Sequence, residues 1–474
     1  MIVKVRRLTL LLATVMAFAS IHTAWTAQWP QYESNPFVIE FDIPVPDSGI
    51  GGIIATDLDG DTRPDFLVSR PGYLAANGND GRKMWVRQID IRVVGQSENN
   101  GLPGWDGPGV QAADIDGDGK VEVVFLTLDG KLQILDGRSG ATENTIEPRL
   151  IDGIDKWEHV IVANLRGLGD RDLIFQASPL TGIDSQKGKM RGRMMAAFAA
   201  EAPAGAPLWQ TDSYWGPAHG TARIADLDGD GLDDVAGGTL IDENGENAAG
   251  WNYDESSGLL RDGRWHFDSI FMYDVRPDLP GLEVVLLEEN TEHVSLVNTG
   301  TFIWRNHHKL QEPQNAAVGE FDLDRPGLEI WCRTRYNEHQ KPFVFDAHGQ
   351  LIASYEMDDM APEGWTVRGV EAIWTSDWTG EKKQLAAAKE RHTHGDVAIF
   401  DPLSGGFIQR FREKADKLYV ADVSGDWREE LLVVNGAEIH IYHNDDPNPD
   451  PDHPRLWEQN HYRRNKMTWN YYSP

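Results

Sequence analysis

Residues 226–234 read DLDGDGLDD and place carboxylates Asp226, Asp228, Asp230 and Asp234 at relative positions 1, 3, 5 and 9. Hard oxygens at that spacing wrap a chain around Ca²⁺, which takes six to eight oxygen ligands. A helix–loop–helix calcium site would need Glu at relative position 12, where Gly237 stands, and helical flanks where apolar runs read as strands. The same set recurs as Asp57, Asp59, Asp61, Asp65 and as Asp114, Asp116, Asp118, Glu122. A looser copy is Asp422, Ser424, Asp426, Glu430. Asp274, Asp278, Glu283 and Glu320, Asp322, Asp324, Glu329 are stretched by a residue. The carboxylates of the first three sets and of the Asp422, Asp426, Glu430 copy are the predicted ligands of structural Ca²⁺. The competing reading is a solvated Asp-Gly turn without an ion.

Each acidic turn follows one apolar run and precedes another. Eight such units start at Ile53, Val110, Val160, Ile224, Ile270, Ala316, Ala372 and Leu418. Internal repeats of this length mean a propeller or a solenoid. Segments such as KLQILDGRSG (131–140) add a second hairpin per unit, so each unit reads as four short strands. The expected fold is all-β, an eight-bladed β-propeller with calcium-binding turns between the first and second strands of several blades. FVIEFDIPV (37–45), ahead of the first unit, reads as a strand that could complete the last blade.

In such a blade the acidic turn marks one rim. The opposite rim collects residues just before each inner strand and in each second turn. There the sequence places His219, Trp265, His266 and His308, then Arg333, Arg335, Tyr336, His339, Lys389, Arg391, His392 and His394. Imidazole, guanidinium and phenol groups thus gather on one face of a chain with net charge −31. That combination fits an anionic sugar: Arg for carboxylate, Trp for ring stacking, His or Tyr for proton transfer.

The charge excludes nucleic acid, which needs basic surface against phosphate. The first residues, with Lys4, Arg6 and Arg7 ahead of an apolar run and small residues near Ala27, read as a signal peptide. The chain therefore divides into 1–27 (signal peptide), 28–442 (propeller) and 443–474 (a Pro/Asp-rich then basic and aromatic extension packing on the propeller). A secreted or periplasmic monomer without membrane insertion is expected. Cys332 is the sole cysteine, so no intrachain disulfide forms.

From His219 onward the chain resembles the rhamnogalacturonan lyases of polysaccharide lyase family eleven. AHGTARIADLDGDGLDDVAGGTLIDENG (218–245), HFDSIFMYDVRPDLPGLEVV (266–285), VGEFDLDRPGLEIW (318–331) and ADVSGDWREELLVVNGAEIHIY (421–442) carry the resemblance. It implies an eight-bladed calcium propeller that cleaves a uronate-containing polysaccharide. Of the family's Gly-His-Gly-Asp before the fifth inner strand, only His266 and Asp268 carry over. A uronate lyase removes the C5 proton and expels the O4-linked sugar by β-elimination. His219 or His266 is the candidate base. Arg335, Arg391 or a bound Ca²⁺ would neutralise the carboxylate, and Tyr336, His339 or His392 would protonate the leaving oxygen. Trp265, Trp365, His308 and Lys389 are the candidate sugar contacts. The rival class is a non-catalytic calcium-stabilised propeller binding glycan or protein. A glycoside hydrolase ranks third, with Asp106, Glu292 and Glu338 as its carboxylates.

Overall fold

The computed structural model describes residues 32–45, 51–91, 93, 109–180, 193–217, 221–253, 256, 267–288, 291–336, 338–391 and 394–466. Among the described residues seven four-stranded antiparallel sheets form, six of them from four consecutive strands. In chain order the blades span 52–88, 110–146, 159–211, 267–306, 313–354, 370–415 and 417–442. The seventh is completed from the far end of the chain: Phe37–Glu40 pairs antiparallel with Glu438–Tyr442, Phe37 opposite Ile441. This meets the expectation for FVIE and leaves the ring no open seam strand.

The expected count of eight blades is corrected to seven. The unit that starts at Ile224 forms a two-stranded ladder, Arg223–Ala225 against Asp234–Ala236. Beyond it, Ile241 meets Val235 and Asn247 only through isolated bridges. The reason lies in GGTLIDENGENAAG (237–250). Turn formers recur so closely there that no run is long enough to pair as a strand.

The second strand of each blade is buried on both faces because blades stack face to face. EVVFL (Glu122–Leu126) and DLIFQA (Asp172–Ala177) are buried throughout. The outermost strand Thr142–Ile146 is exposed at all but its last residue. Such strands read as continuous apolar runs and not as alternating ones.

A repeated aromatic latch joins neighbouring blades. Trp85 Nε1 donates to Gly137 O at 2.7 Å, Trp209 Nε1 to Glu243 O at 2.9 Å, and Trp304 Nε1 to Ala347 O at 3.0 Å. Tyr355 does the same through its hydroxyl, to Pro402 O at 2.9 Å. Each ring lies on a turn glycine of the next unit. A Cβ on Gly140, at φ +66°, would come within 2.5 Å of Trp85. Several of the 17 Trp are therefore structural.

The C-terminal extension crosses the rim that carries the acidic turns. A 3₁₀ turn, Leu456–Glu458, leads into helix α1, Asn460–Lys466. Arg464 Nη2 meets Asp170 Oδ1 at 2.7 Å and also Asp233, while Lys466 Nζ lies 2.7 Å from Glu429 Oε1. One short helix thus ties the third blade, the two-stranded ladder and the seventh blade together.

Candidate functional site

The three best acidic loops are folded around their own first aspartate. Asp226 accepts from Gly229 N at 2.7 Å and Gly231 N at 3.0 Å. Asp114 does so from Gly117 N and Gly119 N, and Asp57 from Gly60, Asp61 and Thr62. This winding brings Asp57, Asp59 and Asp61 together, likewise Asp226, Asp228 and Asp230, each group with oxygens within 4.8 Å of one another. In the second loop the group is Asp114, Asp116 and Glu122. Asp118 turns instead to Lys120 Nζ at 2.5 Å. Asp65 and Asp234 brace the turns by accepting from Leu58 N and Leu227 N, both at 2.9 Å.

Burial and neighbouring aspartates push Asp65 up to about 7, Glu122 to about 7 and Asp234 to about 8. Crowded carboxylates raise one another's pKa unless a cation relieves them. Asp59 Oδ1 is enclosed with no hydrogen-bond partner. An all-oxygen donor set with an enclosed, undonated acceptor fits a hard divalent cation such as Ca²⁺.

The seventh-blade loop differs from the sequence expectation. Asp422 has no exposed surface and is met by Arg455 Nε at 2.6 Å. Arg428 Nη2 lies 2.6 Å from Asp426 Oδ2. Glu430 accepts from Val423 N and Ser424 N, both at 2.8 Å. Guanidinium groups hold Asp422 and Asp426, the first supplied from outside the loop, while the loop's own backbone holds Glu430.

The stretched loops rely on a different device. Gly281 and Gly327, at φ +80° and +82°, press against the preceding unit. A Cβ there would sit 2.2 Å from Leu227 O and 2.4 Å from Val275 O. Leu282 N and Leu328 N then donate to those same carbonyls.

On the opposite rim the strand registers place a basic arc. In the sixth blade Ser376 pairs with Leu385 at the acidic-turn end, so Val370, Glu371, Lys389 and Glu390 sit at the other end. Arg391 follows directly. Arg70 ends the strand Asp65–Arg70, Arg333 is next to last in Glu329–Thr334, and Lys417 starts Lys417–Ala421. Arg333 is fully buried, and Arg70, Lys389, Arg391 and Lys417 are only 4–6% exposed. Arg70 and Lys417, with Asp416 and the Gly51–Gly52 backbone, line a small cavity at the seam of the first and seventh blades. Burial lowers the Arg70 pKa.

Several predicted site residues occupy other settings. His219, Trp265, His266 and His392 lie outside the described residues. Trp365 is 7% exposed. Its Nε1 donates to Gly369 O at 3.0 Å and its ring meets Phe407 edge-on, so it packs in the core. Arg335 pairs with Glu312 at 3.0 Å. Tyr336 is exposed, with Lys341 Nζ 5.4 Å from its ring centre. His339 Nδ1 lies 2.6 Å from Asp358 Oδ2. His308 stands beside Phe343, and burial with Lys309 and His307 nearby lowers its pKa. Lys389 Nζ donates to Glu390 O at 2.9 Å.

Sequence reasoning passed over Glu371. It binds Arg333 Nη1 at 2.8 Å and Arg391 Nε at 3.0 Å. The available signal was an acid one residue into an apolar inner strand, VEAIWTS (Val370–Ser376).

A family model described as the rhamnogalacturonan lyase family 11 C-terminal domain matches residues 207–471, more than half of the chain. The chain belongs to this family. Upstream, residues 57–125 match an FG-GAP-like repeat model. The rhamnogalacturonan exolyase YesX of Bacillus subtilis is 24% identical over 388 residues, which are 69% of this chain and 59% of that protein. The endolyase YesW of the same organism is 24% identical over 445 residues, 81% of this chain and 66% of that protein. This family 11 chain thus spans about three-fifths to two-thirds of the length of these relatives. The solved structures of YesX and YesW share its fold. Their TM-scores are 0.65 and 0.63 at 18% and 19% identity, covering 92% and 93% of this chain and 81% and 82% of theirs.

Proposed function

We propose that this protein is a secreted polysaccharide lyase that cleaves a uronate-containing glycan, rhamnogalacturonan or a close analogue, by β-elimination. The carrying observation is the arc of Arg333, Lys389, Arg391, Lys417 and Arg70 on four consecutive blades of the ring. These are buried cations on a protein of net charge −31, gathered at the rim opposite the acidic loops. Such an arrangement focuses positive potential on one mouth and favours a polyanionic ligand. Family membership gives the chemistry that such a mouth would serve.

In that reaction the base takes the C5 proton of the uronate. The C4–O4 bond breaks, a C4–C5 double bond forms, and the departing O4 is protonated. Positive charge at the carboxylate stabilises the developing enediolate. Arg391 supports this role through its place in the arc, and Arg335 stands two residues beyond Arg333. His219 or His266 is assigned as base on sequence position. Tyr336 and His339, both exposed near the same turn, are assigned to protonate the leaving oxygen, with His392 the third candidate. Lys389 and His308 bind the sugar chain, and Trp265 stacks on it.

Ca²⁺ is proposed at Asp57/Asp59/Asp61, Asp114/Asp116/Glu122 and Asp226/Asp228/Asp230, where it would lock the turns and offset the crowded negative charge. The protein is taken to act as a monomer.

The test follows the ultraviolet absorbance of unsaturated uronate ends. The purified chain is incubated with rhamnogalacturonan, polygalacturonate and algal polyuronates, alongside His219→Ala and His266→Ala. Absorbance growth on one of these polymers, lost in one His variant, supports the proposal. No product on any polymer, with binding retained, leaves a non-catalytic glycan binder.

A further inference from the structure

Arg333, Glu371 and Arg391 meet at the basic rim. Glu371 Oε1 lies 2.8 Å from Arg333 Nη1, and Glu371 Oε2 lies 3.0 Å from Arg391 Nε. The side chains are 0%, 1% and 5% exposed. Each outer end is also tied. Arg333 Nη2 donates to Gln314 Oε1 at 3.0 Å, and Arg391 Nη1 donates to the Tyr336 carbonyl. Arg333 and Gln314 belong to the fifth blade, and Glu371 and Arg391 to the sixth. The trio therefore bridges two blades at the mouth.

One carboxylate serves two guanidinium groups, so the trio has a formal charge of +1 and two different fates for its arginines. Arg333 is fully enclosed, whereas Arg391 keeps a small exposed edge and bonds the backbone of the exposed Tyr336. A planar guanidinium held at Nε by a buried carboxylate has its remaining N–H groups fixed in direction. We infer that Glu371 is a positioning residue: clamped by Arg333, it orients Arg391 for the uronate carboxylate of the substrate. This rests on the lyase reading above. A blade-to-blade staple alone would need only one of the two arginines. The second extends the chain of bonds to the loop that carries Tyr336 and His339.

The test compares Glu371→Gln with wild type on two forms of one polymer, the free uronate and its chemically prepared methyl ester. The ester has no carboxylate charge for Arg391 to engage. The variant is expected to lose tenfold or more in kcat/KM on the free acid, chiefly through KM, and less than threefold on the ester. Equal loss on both substrates, or no loss on either, overturns the inference and assigns Glu371 a structural role. Should the Gln variant not fold, Glu371→Asp keeps the charge and shortens the reach, and is judged by the same ratio. A wild type that cleaves neither form would fail the lyase reading itself. A wild type that cleaves both, with the acid-to-ester ratio unchanged in the variant, fails this inference alone.

Discussion

Arg455 Nε lies 2.6 Å from Asp422 Oδ2, and the aspartate has no exposed surface. The extension thus delivers a cation to a loop whose sequence reads as a metal site. Removing one partner of a buried pair leaves the other uncompensated, at a cost of about 3 kcal/mol. Arg455→Met is therefore expected to lower the unfolding free energy by that amount near pH 8. Burial, opposed by Arg455, holds the Asp422 pKa up at about 6. A carboxylate whose folded pKa is raised binds its proton more readily in the folded state, so its burden on stability grows as pH rises through that value. Without Arg455 the Asp422 pKa rises further, so the deficit of Arg455→Met should shrink as pH falls from 8 toward about 6 and level off below it, as denaturant titrations at pH 5 and 8 would read. A deficit independent of pH would mean that the contact matters only as packing.

The three acidic loops predict a stepwise response to calcium. A site saturated at a hundred times its Kd contributes about 2.7 kcal/mol. Chelation should lower Tm, and Asp59→Asn, Asp116→Asn and Asp228→Asn should each remove part of the calcium-dependent rise. Asp426→Asn should leave that rise intact, since Arg428 holds its carboxylate. Calorimetric scans with and without Ca²⁺ decide it, and an unchanged rise in all three loop variants would remove these loops as ion sites.

Trp365 separates core from site. Its ring packs against Phe407 with centres 4.9 Å apart and lies under Arg410. Trp365→Ala should cost about 3–5 kcal/mol of stability. A sugar platform would instead show a raised KM at unchanged Tm.

What the sequence made legible was local. DxDGD after an apolar run predicts a strand, a tight acidic turn and a return strand, and Asp57, Asp114 and Asp226 all wind their loops as the spacing requires. The pairing of Phe37–Glu40 with the last unit was legible because the ring must close. The blade count was not. The repeat marks a first hairpin, and at Arg223–Ala236 the hairpin forms without a full sheet behind it. Partners distant in sequence were hidden too. Asp422 finds its cation 33 residues downstream, and Glu371 joins arginines from two blades that no spacing rule connects.

His440 offers a pH test of the last blade junction. Its Nδ1 lies 2.7 Å from Glu413 Oε1 of the sixth blade and its Nε2 lies 3.0 Å from Glu438 Oε2. A ring with both nitrogens on carboxylates is the imidazolium form. Burial disfavours that charge, but the bonds to Glu438 and Glu413 outweigh it and raise the pKa above the ordinary histidine value. A raised folded pKa means that the contribution is complete below the unfolded value, about 6.5, and is lost as pH climbs through the folded one. His440→Gln should therefore cost about 1 kcal/mol at pH 5.5 and progressively less in alkaline buffer. Paired urea titrations across that range would read the difference. A cost that grew with pH would show that the neutral imidazole is the stabilising form and that the two carboxylates do not hold a charged ring.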